Sequence, residues 1–192
     1  MLKTLVITGA SRGIGHALAK LASEAGHSVY ALSRNIETLE RTATLFPISI
    51  DLTDEKAIVE FADQLKEEGV VIDALINNAG ALINKPFSET SAKDFESVYR
   101  VNVFGLASLT RILIPFIELK GHVVNISSMG GLQGSSKFPG LAAYSSSKAA
   151  VNILTELLAE EYKNTGPAFN GLALGAVQTE MLEAAFPGFK AP

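Results

Sequence analysis

Cysteine is absent from this sequence and histidine occurs three times. The absence of cysteine excludes disulfide bonds, thiolate metal sites and a cysteine nucleophile. His16, His27 and His122 are widely spaced in the chain, so no metal site is predicted. No run of 18 apolar residues occurs, and the apolar segment near the amino terminus is too short for a signal peptide. We therefore expect a cytoplasmic protein without a membrane partner.

Net charge and chain length limit the possible binding partners and the number of domains. The formal net charge is -4, which argues against nucleic acid or an anionic membrane as a partner. Hydrophobic residues make up 47% of the 192 residues and charged residues only 19%. This composition is typical of a well-buried globular protein, and the length suits one sizeable core. Residues 1–192 are predicted to form a single domain.

Short apolar runs rich in β-forming residues alternate with longer segments of helical periodicity. Such alternation predicts an α/β protein of the Rossmann type, a doubly wound parallel sheet with helices on both faces. The predicted strands are residues 5–7, 29–32, 48–50, 74–76, 123–126 and 169–174. The predicted helices are residues 14–25, 54–66 capped by Thr53 or Asp54, 91–120 opened by Ser91 and Asp94 and interrupted at Pro115, and 144–162.

A tyrosine and a lysine, Tyr144 and Lys148, are four residues apart in the last of these helices. Side chains at this spacing share one helix face, and a neighbouring ammonium favours the phenolate and lowers the pKa of a tyrosine. The pair could therefore act as an acid/base group. Taken alone, the spacing also occurs by chance on many solvated helix faces.

A glycine-rich turn, residues 8–15, follows the first strand and opens the first helix. Glycines here permit a tight turn, close approach of backbone N–H groups to a dinucleotide pyrophosphate, and close packing of helix on strand. A purely structural turn is the alternative. After the second strand, Ser33 and Arg34 stand where an NAD-selective site would place an acidic residue. With Arg12, Arg34 could hold a 2′-phosphate, so NADP(H) is expected over NAD(H) unless both arginines are ordinary surface charges.

Together with Asp51-Leu52, Asn77-Asn78-Ala79-Gly80 and Ser127-Ser128, the glycine turn and Tyr144…Lys148 resemble the motifs of the short-chain dehydrogenase/reductase family. The motifs occur in the family's order over nearly the whole chain. The resemblance is to the shorter branch, which uses the GxxxGxG spacing. It implies hydride transfer between a nicotinamide cofactor and a carbonyl or alcohol.

The resemblance also implies roles for individual residues. Tyr144 would exchange the proton, Lys148 would lower its pKa and bind the nicotinamide ribose, Ser128 would hold the substrate oxygen, and Asn102 would order a water leading to Lys148. The implied cofactor-binding residues are Gly9, Ser11, Arg12, Gly13, Ile14, Gly15, Ser33, Arg34, Asp51, Leu52, Asn78, Ala79, Gly80, Tyr144, Lys148, Gly175, Val177 and Thr179. As alternatives, Ser128 could cap a loop, Asn102 could bond to nearby backbone and Asp51 could be a turn residue.

The chain departs from the family pattern in three places. The glycine-rich segment 129–143 is an enlarged loop at the substrate mouth, and Leu174-Gly175 replaces the usual Pro-Gly. The sequence stops at Pro192, before the family's final strand, so either the chain is a shortened member or a further segment follows, and the sheet is expected to lack that strand. An apolar substrate pocket is predicted from Met129, Leu132, Phe138, Met181, Leu182 and Phe186, with core or interface packing as the alternative.

The sequence thus predicts an NADP(H)-dependent carbonyl reductase or alcohol dehydrogenase that acts on a small molecule. An epimerase or dehydratase with the same groups, or a non-catalytic NADP(H)-binding regulatory protein, remain alternatives. The resemblance further suggests a homodimer or homotetramer packed through residues 91–120 and 144–163.

Overall fold

A computed structural model describes residues 2–191. Six strands in this range form one parallel sheet. Neighbouring strands follow the order β3-β2-β1-β4-β5-β6, so β3 and β6 are its edges within the described residues. The Rossmann-type order predicted from the sequence is confirmed. The strands are β1 (Thr4–Thr8), β2 (Ser28–Ser33), β3 (Leu45–Ser49), β4 (Ile72–Asn77), β5 (Ile117–Ser128) and β6 (Ala168–Leu174).

Both faces of the central strands are buried, which explains why they read as continuous apolar runs. Val6 and Ile7 of β1 are both 0% exposed, and they belong to two different hydrophobic clusters. Val29 and Tyr30 of β2 divide in the same way. Successive side chains of a strand point to opposite faces, so each strand contributes to two cores.

Helices cover both cores. They are α1 (Gly13–Glu24), α2 (Glu55–Glu67), α3 (Ala92–Tyr99), α4 (Leu106–Leu113), α5 (Ala142–Tyr162) and α6 (Glu180–Ala185). Ala19 of α1 packs in the cluster of Ile7, whereas Phe61 of α2 and Leu109 of α4 pack with Val6. Helices on both faces of the sheet are therefore confirmed. None of the helices within residues 2–191 is long and apolar enough to cross a membrane.

The helix starts follow their sequence signals. The Asp54 carboxylate accepts the N–H of Lys56 at 3.0 Å at the start of α2. Ser91 and Asp94 form a reciprocal capping box at the start of α3, since each side chain accepts the other's backbone N–H. Asp54, rather than Thr53, is thus the cap of α2.

The helix predicted over residues 91–120 with an interruption at Pro115 is correct up to that interruption and wrong beyond it. A wide π-type turn, Arg100–Gly105, separates α3 from α4, and α4 ends before a 3-10 turn that contains Pro115. Residues from Ile117 onward already belong to β5, because Ile117 pairs with Ile72 of β4. A long-range strand pairing therefore overrides a local helical pattern.

Candidate active site

The carboxyl ends of the strands open into a cleft of about 840 Å³. The chain turns to opposite sides of the sheet after β1 and β4, which are neighbours, and ligands bind at such a switch point in open α/β sheets. Gly15 and Asn102 are the predicted site residues that do not line the cleft. Those that do are Gly9, Ser11, Arg12, Gly13, Ile14, Ser33, Arg34, Asp51, Leu52, Asn78, Ala79, Gly80, Ser128, Tyr144, Lys148, Gly175, Val177 and Thr179.

The glycine turn needs its glycines for two physical reasons. Gly9 and Gly13 have φ of +66° and +56°, in the left-handed region that favours glycine. Gly15 has no room for a side chain, because a Cβ there would lie 2.4 Å from Asn78 Nδ2 and from the Gly9 carbonyl oxygen. The lack of a side chain at Gly15 therefore lets the start of α1 pack closely against Gly9 and Asn78.

The segment after β4 is tied to this turn through Thr8. The Thr8 hydroxyl accepts the backbone N–H groups of Asn78 and Ala79 at 3.0 and 2.9 Å. The Asn78 side-chain amide donates to the carbonyls of Thr8 and Gly9 at 2.9 and 3.2 Å. The two cofactor motifs of the sequence are thus one hydrogen-bonded unit.

The start of α1 differs from those of α2, α3 and α6. Side chains of Asp54, Ser91 and Thr179 cap those three helices, whereas Arg12 at the start of α1 makes no side-chain cap. The first N–H groups of a helix lack partners within the helix and attract anions. Because Arg12 and Gly13 also line the cleft, this helix end fits a pyrophosphate.

Hydroxyl groups line the cleft beyond this turn. The Ser33 hydroxyl donates to Ser11 Oγ at 2.8 Å, and the Thr38 hydroxyl donates to the Ser11 carbonyl at 2.7 Å. Arg34 is exposed beside them. Asp51 lines the cleft and also accepts both the N–H and the hydroxyl of Thr53 at 2.9 Å. Asp51 therefore acts as a turn residue, as the alternative predicted, and it also lines the cleft.

At the opposite end of the cleft, Ser128 ends β5 while Tyr144 and Lys148 extend from the first turns of α5. The Lys148 ammonium donates to the Ile126 carbonyl at 2.7 Å and lies 5.8 Å from the centre of the Tyr144 ring. Ser127 is buried and donates its hydroxyl to the Lys148 carbonyl at 3.2 Å, a structural contact.

The pKa of Tyr144 moves opposite to the expected direction. Burial raises the pKa of this phenol, and the nearby Ser128 hydroxyl only partly opposes that effect. Burial and Ser128 are what shift this pKa, and the Lys148 ammonium bonds to the Ile126 carbonyl instead. Tyr144 is therefore a neutral phenol near pH 7, the form that donates a proton.

Burial also lowers the pKa of Lys148, to about 8. An unfolded lysine titrates near ~10.4, so the penalty for burying the charged form is full below about pH 8 and is relieved toward about pH 10. We predict that wild type gains stability over Lys148→Met across this range. Urea unfolding at several pH values measures the difference. Lys120→Met, at an exposed position, should retain the wild-type dependence, and an unchanged pH dependence in Lys148→Met would contradict the assignment.

Asn102 lies in the π-type turn and is 0% exposed. Its side-chain oxygen accepts the N–H of Ala81 at 2.7 Å, and its amide donates to the Ala81 carbonyl and the Ser147 hydroxyl, both at 2.9 Å. Asn102 thus bonds to backbone, as the alternative expected, but to Ala81, which is 21 residues away in the chain rather than nearby. A Cβ on Gly80 would lie 3.6 Å from Asn102 Oδ1 and 3.7 Å from Lys148 Nζ, so this glycine leaves space between the two.

The apolar residues predicted for the substrate pocket are largely found there. Met129, Phe138, Met181, Leu182 and Phe186 line the cleft, whereas Leu132 does not. Sequence reasoning missed several other lining residues, since no motif marks loops that meet only after folding. These include Asn35, Thr38, Leu82, Leu141, Glu180 and Phe189.

Comparison with known proteins agrees with this architecture. The family model described as short chain dehydrogenase matches residues 3–188. The chain belongs to the short-chain dehydrogenase family. Members of this family are NAD(P)-dependent oxidoreductases, so the chain's cofactor is a nicotinamide dinucleotide and its substrate a small molecule.

Individual relatives share about a third of the residues. Gluconate 5-dehydrogenase of Gluconobacter oxydans is 35% identical over 190 residues, which are 93% of this chain and 72% of that enzyme. The structure of 4-hydroxyisoleucine dehydrogenase complexed with NADH has a TM-score of 0.83 at 34% identity, over 95% of this chain and 79% of that one. A short chain dehydrogenase from Shigella flexneri complexed with NADP has a TM-score of 0.87 at 28% identity, over 98% and 83%.

Proposed function

We propose that this protein is an NADP(H)-dependent oxidoreductase that reduces a carbonyl compound or oxidises the corresponding alcohol. The observation that carries the proposal is the meeting of Ser128, Tyr144 and Lys148 at one end of a cleft. The other end of the same cleft offers the uncapped start of α1 and two arginines, Arg12 and Arg34. Candidate acid/base groups at one end and a candidate anion site at the other support binding of one dinucleotide together with one substrate.

When bound, the nicotinamide supplies or accepts the hydride. The protein's own residues position the substrate and move the proton. Ser128 is proposed to hold the substrate oxygen, and Tyr144, neutral near pH 7, to donate a proton to that oxygen during reduction. Lys148 is buried and Tyr144 is partly buried, and hydrogen bonds from partly desolvated groups to a developing charge are stronger than in bulk water.

Lys148 is proposed to replace the proton that Tyr144 gives up. Its pKa of about 8 lets it gain and lose a proton near neutral pH, as an efficient acid/base group requires. A group at the Cβ position of Gly80 would lie 3.6 Å from Asn102 Oδ1 and 3.7 Å from Lys148 Nζ, so two polar atoms face the same small space beside Gly80. The water role of Asn102 stays a prediction that this space supports.

The NADP(H) preference rests on this chain's residues, because related structures contain NADH in one case and NADP in another. Arg12 and Arg34 line the cleft with the Ser11 and Ser33 hydroxyls. Guanidinium and hydroxyl donors favour a 2′-phosphate, which NAD(H) lacks. The predicted homodimer or homotetramer also stays a prediction, and the exposed apolar side chains of Phe104, Ile153 and Leu157 support it.

We predict that Arg34→Ala weakens NADPH binding about tenfold, the loss expected for a hydrogen bond to a charged group, and leaves NADH binding nearly unchanged. Calorimetric titration with each cofactor measures both affinities. Arg41→Ala serves as the control, because Arg41 lies over Phe46, at 5.5 Å from its ring centre, and does not line the cleft. Equal affinity of wild type for NADPH and NADH would refute the preference.

A further inference from the structure

Three phenylalanines form one side of the cleft's substrate end, and we call them the aromatic wall: Phe138, Phe186 and Phe189. The ring centres of Phe138 and Phe186 are 6.4 Å apart in a T-shaped arrangement, and those of Phe186 and Phe189 are also 6.4 Å apart. Such edge-to-face contacts between rings are favourable beyond simple burial. A ring of a bound ligand could therefore pack against these phenylalanines in the same way.

Hydrogen bonds between loops hold the wall in position. The Asn84 amide donates to the Ala185 carbonyl at 2.7 Å, and the Lys85 N–H donates to the Gly140 carbonyl at 2.9 Å. Gly140 has φ of +88°, and a Cβ there would overlap the Asn84 side chain. The loops that carry Phe138 and Phe186 are thus fastened to a common third loop, which makes the wall a preformed surface.

The wall still presents apolar surface to the cleft. Phe138 is 57% exposed, Phe189 is 45% exposed, and Met129, which follows Ser128 and also lines the cleft, is 44% exposed. Large apolar side chains that remain exposed around a concave site indicate an apolar ligand, since burying them removes apolar surface from water.

Several charged groups around this end have hydrogen-bond or ion-pair partners. Lys85 pairs with Asp94 at 3.2 Å, and Lys137 donates to the Leu132 carbonyl at 2.6 Å. Lys148 donates to the Ile126 carbonyl. Glu180 lies near the glycine turn instead, because a Cβ on Gly13 would be 3.6 Å from its carboxylate. Of the basic residues among 2–191 that line the cleft, Arg12 and Arg34 belong to its cofactor end, so Lys148 is the one basic side chain that lines the substrate end.

We infer that the substrate is an uncharged carbonyl compound whose carbonyl carries a ring, with the ring against the aromatic wall and the oxygen at Ser128 and Tyr144. This inference rests on the proposed function. In reduction the carbonyl carbon accepts a hydride from NADPH and its oxygen takes the Tyr144 proton. The products are an alcohol and NADP⁺, and the phenolate then regains a proton from Lys148, which takes one up from solvent.

Two ketones that differ only in charge test the inference: acetophenone and 4-acetylbenzoate. A carboxylate against the wall would lose water without gaining a partner, so kcat/KM should be on the order of tenfold or more higher for acetophenone. Calorimetry with the NADPH-bound Tyr144→Phe variant measures binding of the same ketones without turnover. Equal or better use or binding of 4-acetylbenzoate would overturn the inference.

Variants of the wall provide a second arm. Phe186→Ala and Phe138→Ala should each raise KM for acetophenone several-fold, and more than they raise KM for the ringless ketone 2-butanone. Phe138 is largely exposed, so its variant should fold even if Phe186→Ala does not. Phe87→Ala is the matched control, because Phe87 is 73% exposed and does not line the cleft. Unchanged KM in both wall variants would overturn the inference.

The two proposals fail in different ways. If Tyr144→Phe binds acetophenone more tightly than 4-acetylbenzoate but wild type reduces no ketone, the proposed reaction is wrong and the ligand class stands. If wild type reduces 4-acetylbenzoate as well as acetophenone, the reaction stands and the ligand class is wrong.

Discussion

Tyr144→Phe should lower kcat by about 10²- to 10⁴-fold, the usual contribution of a placed proton donor. The variant keeps the ring, which packs beside the buried Lys148, and loses only the hydroxyl. NADPH affinity should therefore change little. NADPH oxidation over a panel of aldehydes, ketones and quinones measures turnover, and titration of the same preparations measures binding.

Tyr162→Phe is the matched control for this experiment. It removes a hydroxyl from the same helix, at a ring that stacks on Phe169 with its centre 5.5 Å away, outside the cleft. Wild-type turnover is expected from it. Undiminished turnover in Tyr144→Phe would refute the proposed acid.

The same assay separates the proposed reaction from its alternatives. A reductase consumes one NADPH for each product molecule. An epimerase or dehydratase would convert substrate with no net consumption of cofactor, and a regulatory protein would bind NADPH without any turnover. Stoichiometric oxidation that depends on Tyr144 would favour the reductase over both.

Gly15→Ala should both destabilise the protein and weaken cofactor use. The new Cβ would lie 2.4 Å from Asn78 Nδ2 and from the Gly9 carbonyl oxygen, so the glycine turn must shift. Overpacking of this kind typically costs about 1–3 kcal/mol. A displacement of about 1 Å in a positioning element can lower kcat/KM on the order of 10²-fold. Urea unfolding and NADPH titration measure the two effects.

Gly171→Ala controls for the loss of a glycine in itself. A Cβ at Gly171, in β6, would meet Thr155 Cγ2 at 3.7 Å, an ordinary contact distance. Stability and NADPH affinity should stay close to wild type. The close-packing role of Gly15 would be disproved by a Gly15→Ala protein that matched Gly171→Ala in both measurements.

Local patterns in the sequence were sufficient to predict most strands and helix starts of this protein. The strands are recognisable because residues such as Val6 and Ile7 are both apolar, and the structure buries them on opposite faces. Helix starts at Asp54 and Ser91 depend on bonds to the next three residues. That Tyr144 and Lys148 share one face of α5 also follows from their four-residue spacing and helix geometry alone.

Other features depended on residues far away in the chain. The segment after Pro115 forms a strand because Ile117 pairs with Ile72 of β4. The Asn102 side chain forms hydrogen bonds with Ala81 and Ser147. Neither partner can be read from the surrounding sequence. Such contacts decided where the predicted helix ended and how the π-type turn is held.

The sequence by itself determined the family, the order of strands along the chain and the candidate residues for the chemistry, because these follow from short-range patterns. Only the tertiary structure decided that burial raises the pKa of Tyr144 and lowers that of Lys148. It also brought Phe138, Phe186 and Phe189 into one wall. Burial and loop packing are sums over contacts between distant segments, and these exist only once the chain has folded.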